Sequence, residues 1–337
     1  MAKTRNSPNR WVLLSLAVLV LAVLGGLYFI YGVLPGKVAQ SIAAKAKVKK
    51  PVTETPAVYG MSHYEAVTIR TPDGIPLAAW WIPAEKKKDV LATVLLTHGA
   101  FKNREQVLSR ALFLHKLGCQ VLIFDQRGCG QSGDAPLAGG VLEYKDFPAA
   151  RAYLESRHSL KGPLVYFGFS MGAISALRAA IGTPNVSVIA DSPLANLKSY
   201  VSRRTMGAKF AAFPGFLQKV LSAYDQDTGL DLKESDLDLL PVVKQLNGVP
   251  TVYITGEKDD LAKSDEVRKL FEATTSRQKR LIYIPDAGHE ETYKLYPMIY
   301  EKVVEEFLKD LKAGFPKAEE DLMSGQKKKG HSTQPMK

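Results

Sequence analysis

Gly168-Phe169-Ser170-Met171-Gly172 sets a serine between two glycines, after the apolar run Val165-Tyr166-Phe167 and before a stretch holding Ala173, Ala176, Ala179 and Ala180. The apolar run predicts a buried strand, and the alanines suit a helix packed closely on a sheet. Ser170 therefore falls at a strand-to-helix junction. A sharp turn there strains the serine backbone, and flanking glycines remove the Cβ atoms that would clash with strand and helix. The hydroxyl then projects beyond the sheet as an attacking group, and the Met171 N–H at the helix N-terminus points toward a developing oxyanion. A Gly-x-Ser-x-Gly pattern alone recurs by chance, so its setting carries the reading.

A second oxyanion donor is expected after the third strand, in Leu95-Leu96-Thr97-His98-Gly99-Ala100-Phe101. Gly99 lets the chain turn at the strand end, which aims the backbone N–H of Ala100 into the site. The His98 ring reads as a hydrogen-bonded histidine at a strand terminus rather than a reactive group.

Together these motifs resemble the α/β-hydrolase superfamily, in its esterase, lipase and serine-aminopeptidase-like branch. The resemblance covers about residues 60 to 312. It is carried by His98-Gly99, Asp125-Gln126-Arg127-Gly128-Cys129-Gly130-Gln131-Ser132, Gly168 to Gly172, Gly256-Glu257-Lys258-Asp259 and Gly288-His289, in that order. It implies acyl-transfer hydrolysis with a triad in the order serine, acid, histidine. Of the six histidines, His63 precedes the sheet, His115 and His158 lie in or just after helical patterns, and His331 is in the C-terminal tail. His289 follows the last strand, where the resemblance places the base. Asp191, Asp259 and Asp260 all qualify by position as the acid that orients it. Asp259, three residues after Gly256, fits the family pattern, and Asp260 and Asp191 stay open as replacements. The candidate site is thus catalytic Ser170, Asp259 and His289, with Ala100 and Met171 as the oxyanion hole. No metal and no organic cofactor is required.

Gly128-Cys129-Gly130-Gln131-Ser132-Gly133 also matches a dinucleotide fingerprint after a strand. A pyrophosphate site needs a helix opening at the third glycine. Pro136, Gly139 and Gly140 follow instead, so the nucleotide reading fails, and in the resembling family this loop is structural, shaped by Asp125 and Arg127.

The elements that must position these groups are an alternation of strands and helices. Strands are predicted at Tyr64–Arg70, Pro76–Ile82, Leu91–Thr97, Gln120–Asp125, Pro163–Phe169, Val186–Asp191, Thr251–Thr255 and Arg280–Ile284, with a turn at Pro72-Asp73-Gly74. Helical stretches fall at about 104–117, 143–157, 171–181, 263–275 and 291–312. The fold class is α/β: an α/β-hydrolase fold with an eight-stranded, mostly parallel sheet, helices on both faces and a small helical cap, preceded by one transmembrane helix. The cap is the insertion at about 193–247. There Phe210, Phe213, Leu217, Val220, Leu221 and Tyr224 form an apolar stripe. The plainer reading packs the stripe on the sheet domain, and the sharper one has part of it, with Phe210 and Phe213, lining an acyl pocket.

The formal charge of +11 is not that of a nucleic-acid binder. Residues 1–50 hold eight Lys or Arg and no acid, which leaves only +3 for the rest. These cations flank Trp11–Leu34, a run of 24 residues without charge. As a helix it spans roughly 36 Å, more than the ~30 Å hydrocarbon core. Ala44-Lys45-Ala46 resembles a signal-peptide cleavage site but lies too far past the apolar run. Three basic residues precede the span and five follow it, so charge does not choose the side the domain faces. Cys119 and Cys129 bracket a predicted strand and are expected as free thiols. The expected order is a basic tail (1–10), transmembrane helix (11–34), linker (35–58), hydrolase domain (59–314) and basic tail (315–337).

The sequence thus predicts a single-pass membrane serine hydrolase acting on a small-molecule acyl substrate, a lipid-like one among the options, through an ester or thioester. A serine peptidase of the same fold and a non-catalytic membrane-anchored binding protein are the alternatives.

Overall fold

The computed structural model describes residues 10–86, 88–204, 208–210 and 212–314. Eight strands form one sheet: β1 (Glu65–Arg70), β2 (Pro76–Ile82), β3 (Thr93–Thr97), β4 (Gln120–Phe124), β5 (Leu164–Phe169), β6 (Val186–Asp191), β7 (Thr251–Gly256) and β8 (Lys279–Ile284). Their order is β1-β2-β4-β3-β5-β6-β7-β8. β2 pairs antiparallel with β1 and β4, and every other pairing is parallel. The central strands β3, β4, β5, β6 and β7 are buried along their whole length. That is the consequence of covering both faces of a parallel sheet, and it explains their unbroken apolar runs.

The helices are α1 (Arg10–Tyr28), α2 (Leu34–Lys47), α3 (Leu108–Lys116), α4 (Asp146–Ser156), α5 (Met171–Ala179), α6 (Lys198–Arg204), α7 (Phe216–Thr228), α8 (Leu240–Val243), α9 (Ser264–Ala273), α10 (Thr292–Leu295) and α11 (Pro297–Ala313). Alternate strand residues feed two cores, as the period of two requires. Leu95, Leu122, Tyr166, Val188 and Tyr253 pack against Phe147 of α4, Leu177 of α5, Val243 of α8 and Leu270 of α9. Leu96, Ile123, Val165, Ile189 and Val252 pack on the other face, against Leu108 and Leu114 of α3 and Val304 and Phe307 of α11. Cys119 and Cys129 are both buried free thiols.

The N-terminal region departs from expectation. α1, a π-helical turn at Phe29–Val33 and α2 run on as one helix from Arg10 to Lys47, long and apolar enough to cross a membrane. None of α1 is buried against protein. The widened turn ends two residues before Pro35, whose ring would otherwise press on a carbonyl within that turn. Residues 35–58, expected as a linker, are therefore not a free spacer. Leu34 and Val38 of α2 pack with Phe216, Leu217 and Val220 of α7, and Ala39 and Ala43 pack with Tyr224. Burying side chains such as Leu34 and Val38 contributes roughly 1.5–3 kcal/mol each, which offsets the cost of ordering this turn. Beyond the helix, Lys49 pairs with Asp134 at 2.6 Å, and Asn103 Nδ2 donates to Pro51 O at 2.9 Å. The tails expected at 1–10 and 315–337 lie, but for Arg10, outside the described residues.

Between β6 and β7 stand α6, α7 and α8 with short 3₁₀ turns. The apolar stripe of this insertion turns mainly toward α2, not toward the sheet as the plainer reading had it.

Candidate active site

Ser170 joins β5 to α5 with φ 54° and ψ −115°, a conformation L residues rarely adopt. The flanking glycines make the turn feasible. A Cβ on Gly168 would lie 2.0 Å from the Gly172 carbonyl, and one on Gly172 would lie 2.7 Å from His98 O. The Ser170 N–H donates to Asp191 O at 2.8 Å, which fixes the turn against β6.

Ser170 Oγ lies 2.8 Å from His289 Nε2. On the other side of the ring, His289 Nδ1 lies 2.8 Å from Asp259 Oδ2. A carboxylate only accepts, so Nδ1 donates to it, and Nε2 is the ring nitrogen that faces the Ser170 hydroxyl. The Asp259 carboxylate is buried, and its other oxygen accepts from Leu261 N at 2.9 Å and Ala262 N at 2.7 Å. The two loops are stitched together beneath the pair. Lys258 N donates to Ala287 O at 2.9 Å, and a Cβ on Gly256 would lie 2.2 Å from that same oxygen. The Phe169 ring, 5.4 Å from the His289 ring, closes one flank of the imidazole.

Ala100 and Met171 line the same cavity as Ser170. The Met171 N–H is at the first turn of α5, where an α-helix offers no internal acceptor. Gly99 was expected to supply the turn before Ala100, but the positive φ of that loop, 61°, belongs to Phe101. Gly99 is instead needed for close approach, because an added Cβ would stand 3.3 Å from Ser170 Cβ, Phe169 and Gln106. Its N–H donates to Gln106 Oε1 at 2.8 Å.

The other candidates lie elsewhere. Asp260 pairs with Arg204 at the surface. Asp191 is buried beneath the site and accepts from Arg110 Nη2 at 2.7 Å, Tyr300 Oη at 2.8 Å and Thr292 Oγ1 at 3.0 Å. Thr292 stands three residues after His289, so this network holds the histidine loop from below. Burial opposes the Arg110 charge, but the Tyr300 and Asp191 partners carry its pKa above the ordinary value. Sequence reasoning missed Arg110, although an arginine flanked by Val107, Leu108, Ala111 and Leu114 on one helical stripe signals a buried partner. Asp191→Ala is expected to cost about 3–5 kcal/mol of stability, because Arg110 is left buried without its carboxylate. Denaturant unfolding measures this, and a loss under about 1 kcal/mol would refute the anchoring role.

His98 is fully buried and satisfied, as expected. Nδ1 donates to Gly99 O at 2.8 Å and Nε2 accepts from Gln126 N at 3.2 Å, while burial lowers its pKa and keeps it neutral. The glycine-rich loop after β4 is packed tight. Asp125 accepts from Arg104 and from Gln131 N at 2.8 Å, and a Cβ on Gly130 would lie 2.2 Å from the Asp125 carboxylate. Arg127 bridges Asp146 and Asp73 at 2.7 Å each, and its hydrogen bond holds the Asp73 carboxyl at about 2. No helix follows Gly133 before Glu143.

A cavity of about 740 Å³ opens beside Ser170 and His289. Its apolar wall includes Leu137, Ile174, Leu194, Val220 and Leu221, and α2 contributes Ile42 and Lys45. Phe210 and Phe213 are not on that wall. Phe210 packs at 6.0 Å from Phe213 and 6.3 Å from Phe216, and Phe213 is exposed, so the pocket-facing part of the stripe is Val220, Leu221 and Tyr224.

Residues 94–306 match the family model described as the alpha/beta hydrolase family. Among curated proteins, the chain is 27% identical over 245 residues to the protein named Uncharacterized protein Rv2307c of Mycobacterium tuberculosis, covering 72% of this chain and 78% of that one. It is 26% identical over 242 residues to a Saccharomyces cerevisiae protein named Uncharacterized membrane protein YNL320W, covering 71% and 78%. Among solved structures, the Pyrococcus furiosus esterase Pf2001 superposes with a TM-score of 0.62 at 28% identity, covering 77% of this chain and 96% of that chain.

Proposed function

Since the chain belongs to the alpha/beta hydrolase family, we propose that it is a membrane-held serine hydrolase that cleaves a carboxylic ester, or a thioester, through an acyl-enzyme on Ser170. The observation that carries the reading is the unbroken relay Ser170 Oγ, His289 Nε2, His289 Nδ1, Asp259 Oδ2, with both contacts at 2.8 Å. Ser170 attacks the carbonyl carbon as His289 takes its proton, and Asp259 orients the ring and stabilises the imidazolium. The N–H groups of Ala100 and Met171 receive the oxyanion. His289 returns the proton to the leaving alcohol, and water repeats the sequence on the acyl-serine. The likeness to the Pyrococcus esterase and the apolar wall beside Ser170 both favour an acyl group over a peptide. The helix Arg10–Lys47, and the word membrane in the yeast relative's name, support a single-pass anchor.

The direct test is labelling of the full chain with a fluorophosphonate and its loss in Ser170→Ala. Absence of labelling in the unaltered protein would favour a non-catalytic binding protein. The cavity wall gives a second expectation. Leu221→Trp should narrow the acyl site and lower kcat/KM on esters of about twelve or more acyl carbons roughly 10–100-fold more than on acetyl esters. Equal losses on both would place Leu221 outside the acyl path.

A further inference from the structure

We infer that the cavity beside Ser170 takes a single-chain acyl amphiphile with an anionic head group, its chain against the apolar wall and its anion at Lys45 and Lys50. This rests on the ester-hydrolase reading above. The lining is sharply divided. Leu137, Ile174, Leu194, Leu197, Val220 and Leu221 offer an acyl chain no polar partner, and the volume of about 740 Å³ falls within the range of pockets that enclose small ligands.

The charges on the cavity wall do not cancel. Lys102 pairs with Glu290 at 3.2 Å, Arg204 pairs with Asp260, and Glu291 accepts from Gly288 N at 2.8 Å. Lys45 and Lys50 are exposed and have no carboxylate partner among the described residues. Lys45 is nonetheless held in place, with Nζ 4.4 Å from the Phe101 ring centre and 3.3 Å from Tyr200 Oη. The next residue, Ala46, packs in one cluster with Ala100 and Met171. This cation without a carboxylate partner therefore stands against Phe101, the residue after Ala100, on the same cavity wall as Ser170.

The cavity is also tied to the membrane-crossing candidate helix by packing. Ile30, Leu34, Val38 and Ile42 recur every four residues on the cap-facing side of the N-terminal helix, from the end of the apolar span to the cavity wall. Tyr31 and Phe213 meet edge-on at 6.5 Å, which sets the cap at the end of the span. An amphiphile resident in the bilayer meets this cavity without leaving the surface. In the reaction, Ser170 Oγ bonds to the carbonyl carbon and its proton goes to His289 Nε2. The carbonyl carbon–alkoxide bond breaks, and the alcohol carrying the anionic head leaves with that proton. Water then attacks the acyl-serine, the fatty acid departs, and Ser170 recovers its hydrogen through His289.

The test uses the full chain reconstituted in vesicles of dialkyl-ether phosphatidylcholine, which contains no carboxylic ester. Release of palmitate from 1-palmitoylglycerol 3-phosphate is compared with release from 1-palmitoylglycerol. Two exposed cations acting on a doubly charged head are expected to favour the anionic substrate roughly tenfold in kcat/KM. The ratio should fall to within about twofold of unity in the Lys45→Gln/Lys50→Gln double variant and persist in Lys47→Gln, which alters an exposed cation outside the cavity. In the unaltered protein it should also shrink at about 0.5 M salt, a readout that needs no variant to fold. A ratio near unity, a salt-insensitive ratio, or an equal loss in Lys47→Gln overturns the inference. If turnover of a short ester still depends on Ser170, the ester-hydrolase reading survives that result. Failure to hydrolyse any ester, together with no fluorophosphonate labelling, overturns both.

Discussion

Ser170→Ala is expected to lower ester turnover by roughly 10⁴–10⁶-fold while the protein stays folded. Among the described residues the hydroxyl has one side-chain hydrogen-bond partner, His289 Nε2 at 2.8 Å, so its removal leaves the core intact. What remains is His289 held by Asp259 and the two backbone donors, enough for weak water attack on a bound ester but not for an acyl-enzyme. Steady-state hydrolysis of a chromogenic ester, fluorophosphonate labelling and circular dichroism on the same preparation measure the three parts of this expectation. Labelling that survives the substitution would place the nucleophile at another residue.

The second large effect separates the acids. Asp259→Asn should lower kcat by roughly 10⁴-fold with little loss of fold. The amide oxygen can still accept from Leu261 N and Ala262 N, which leaves the amide NH₂ facing His289 Nδ1. That contact turns Nδ1 into an acceptor and moves the ring proton to Nε2, where it points at Ser170 and blocks proton abstraction. Asp260→Asn loses only an exposed ion pair with Arg204, worth at most about 1 kcal/mol, and should leave kcat close to that of the unaltered chain. Equal losses in the two variants would remove Asp259 from its assigned role. Asp191 offers no third route, because Arg110, Tyr300 and Thr292 occupy its carboxylate.

The eight strands were legible because each is a short apolar or β-branched run, and their boundaries moved by only one or two residues. The meeting of Ser170, His289 and Asp259 was legible for a related reason, since all three follow strands and a parallel sheet puts those ends on one side. Which aspartate contacts His289 was not legible from position alone. Asp191 also ends a strand, and only the buried Arg110, 81 residues earlier, shows that it is engaged elsewhere. The helical course of residues 34–47 was obscured by composition. Lys37, Lys45 and Lys47 with Ala39 and Ala43 suggest a solvated spacer, yet the buried residues Leu34, Val38, Ala39 and Ala43 mark one helical face whose partner lies near residue 220. The same blind spot misassigned Phe210 and Phe213. A stripe shows which side chains are buried but not what covers them.

That helix has a consequence for what counts as the scaffold of the site. A span placed in a bilayer tilts to match the hydrocarbon thickness. Here the span continues without a hinge loop into α2, which supplies Ile42 and Lys45 to the cavity. Tilt at one end is therefore reorientation of a pocket wall at the other. On the proposed membrane-held reading, lipid composition would act on this protein as a geometric variable.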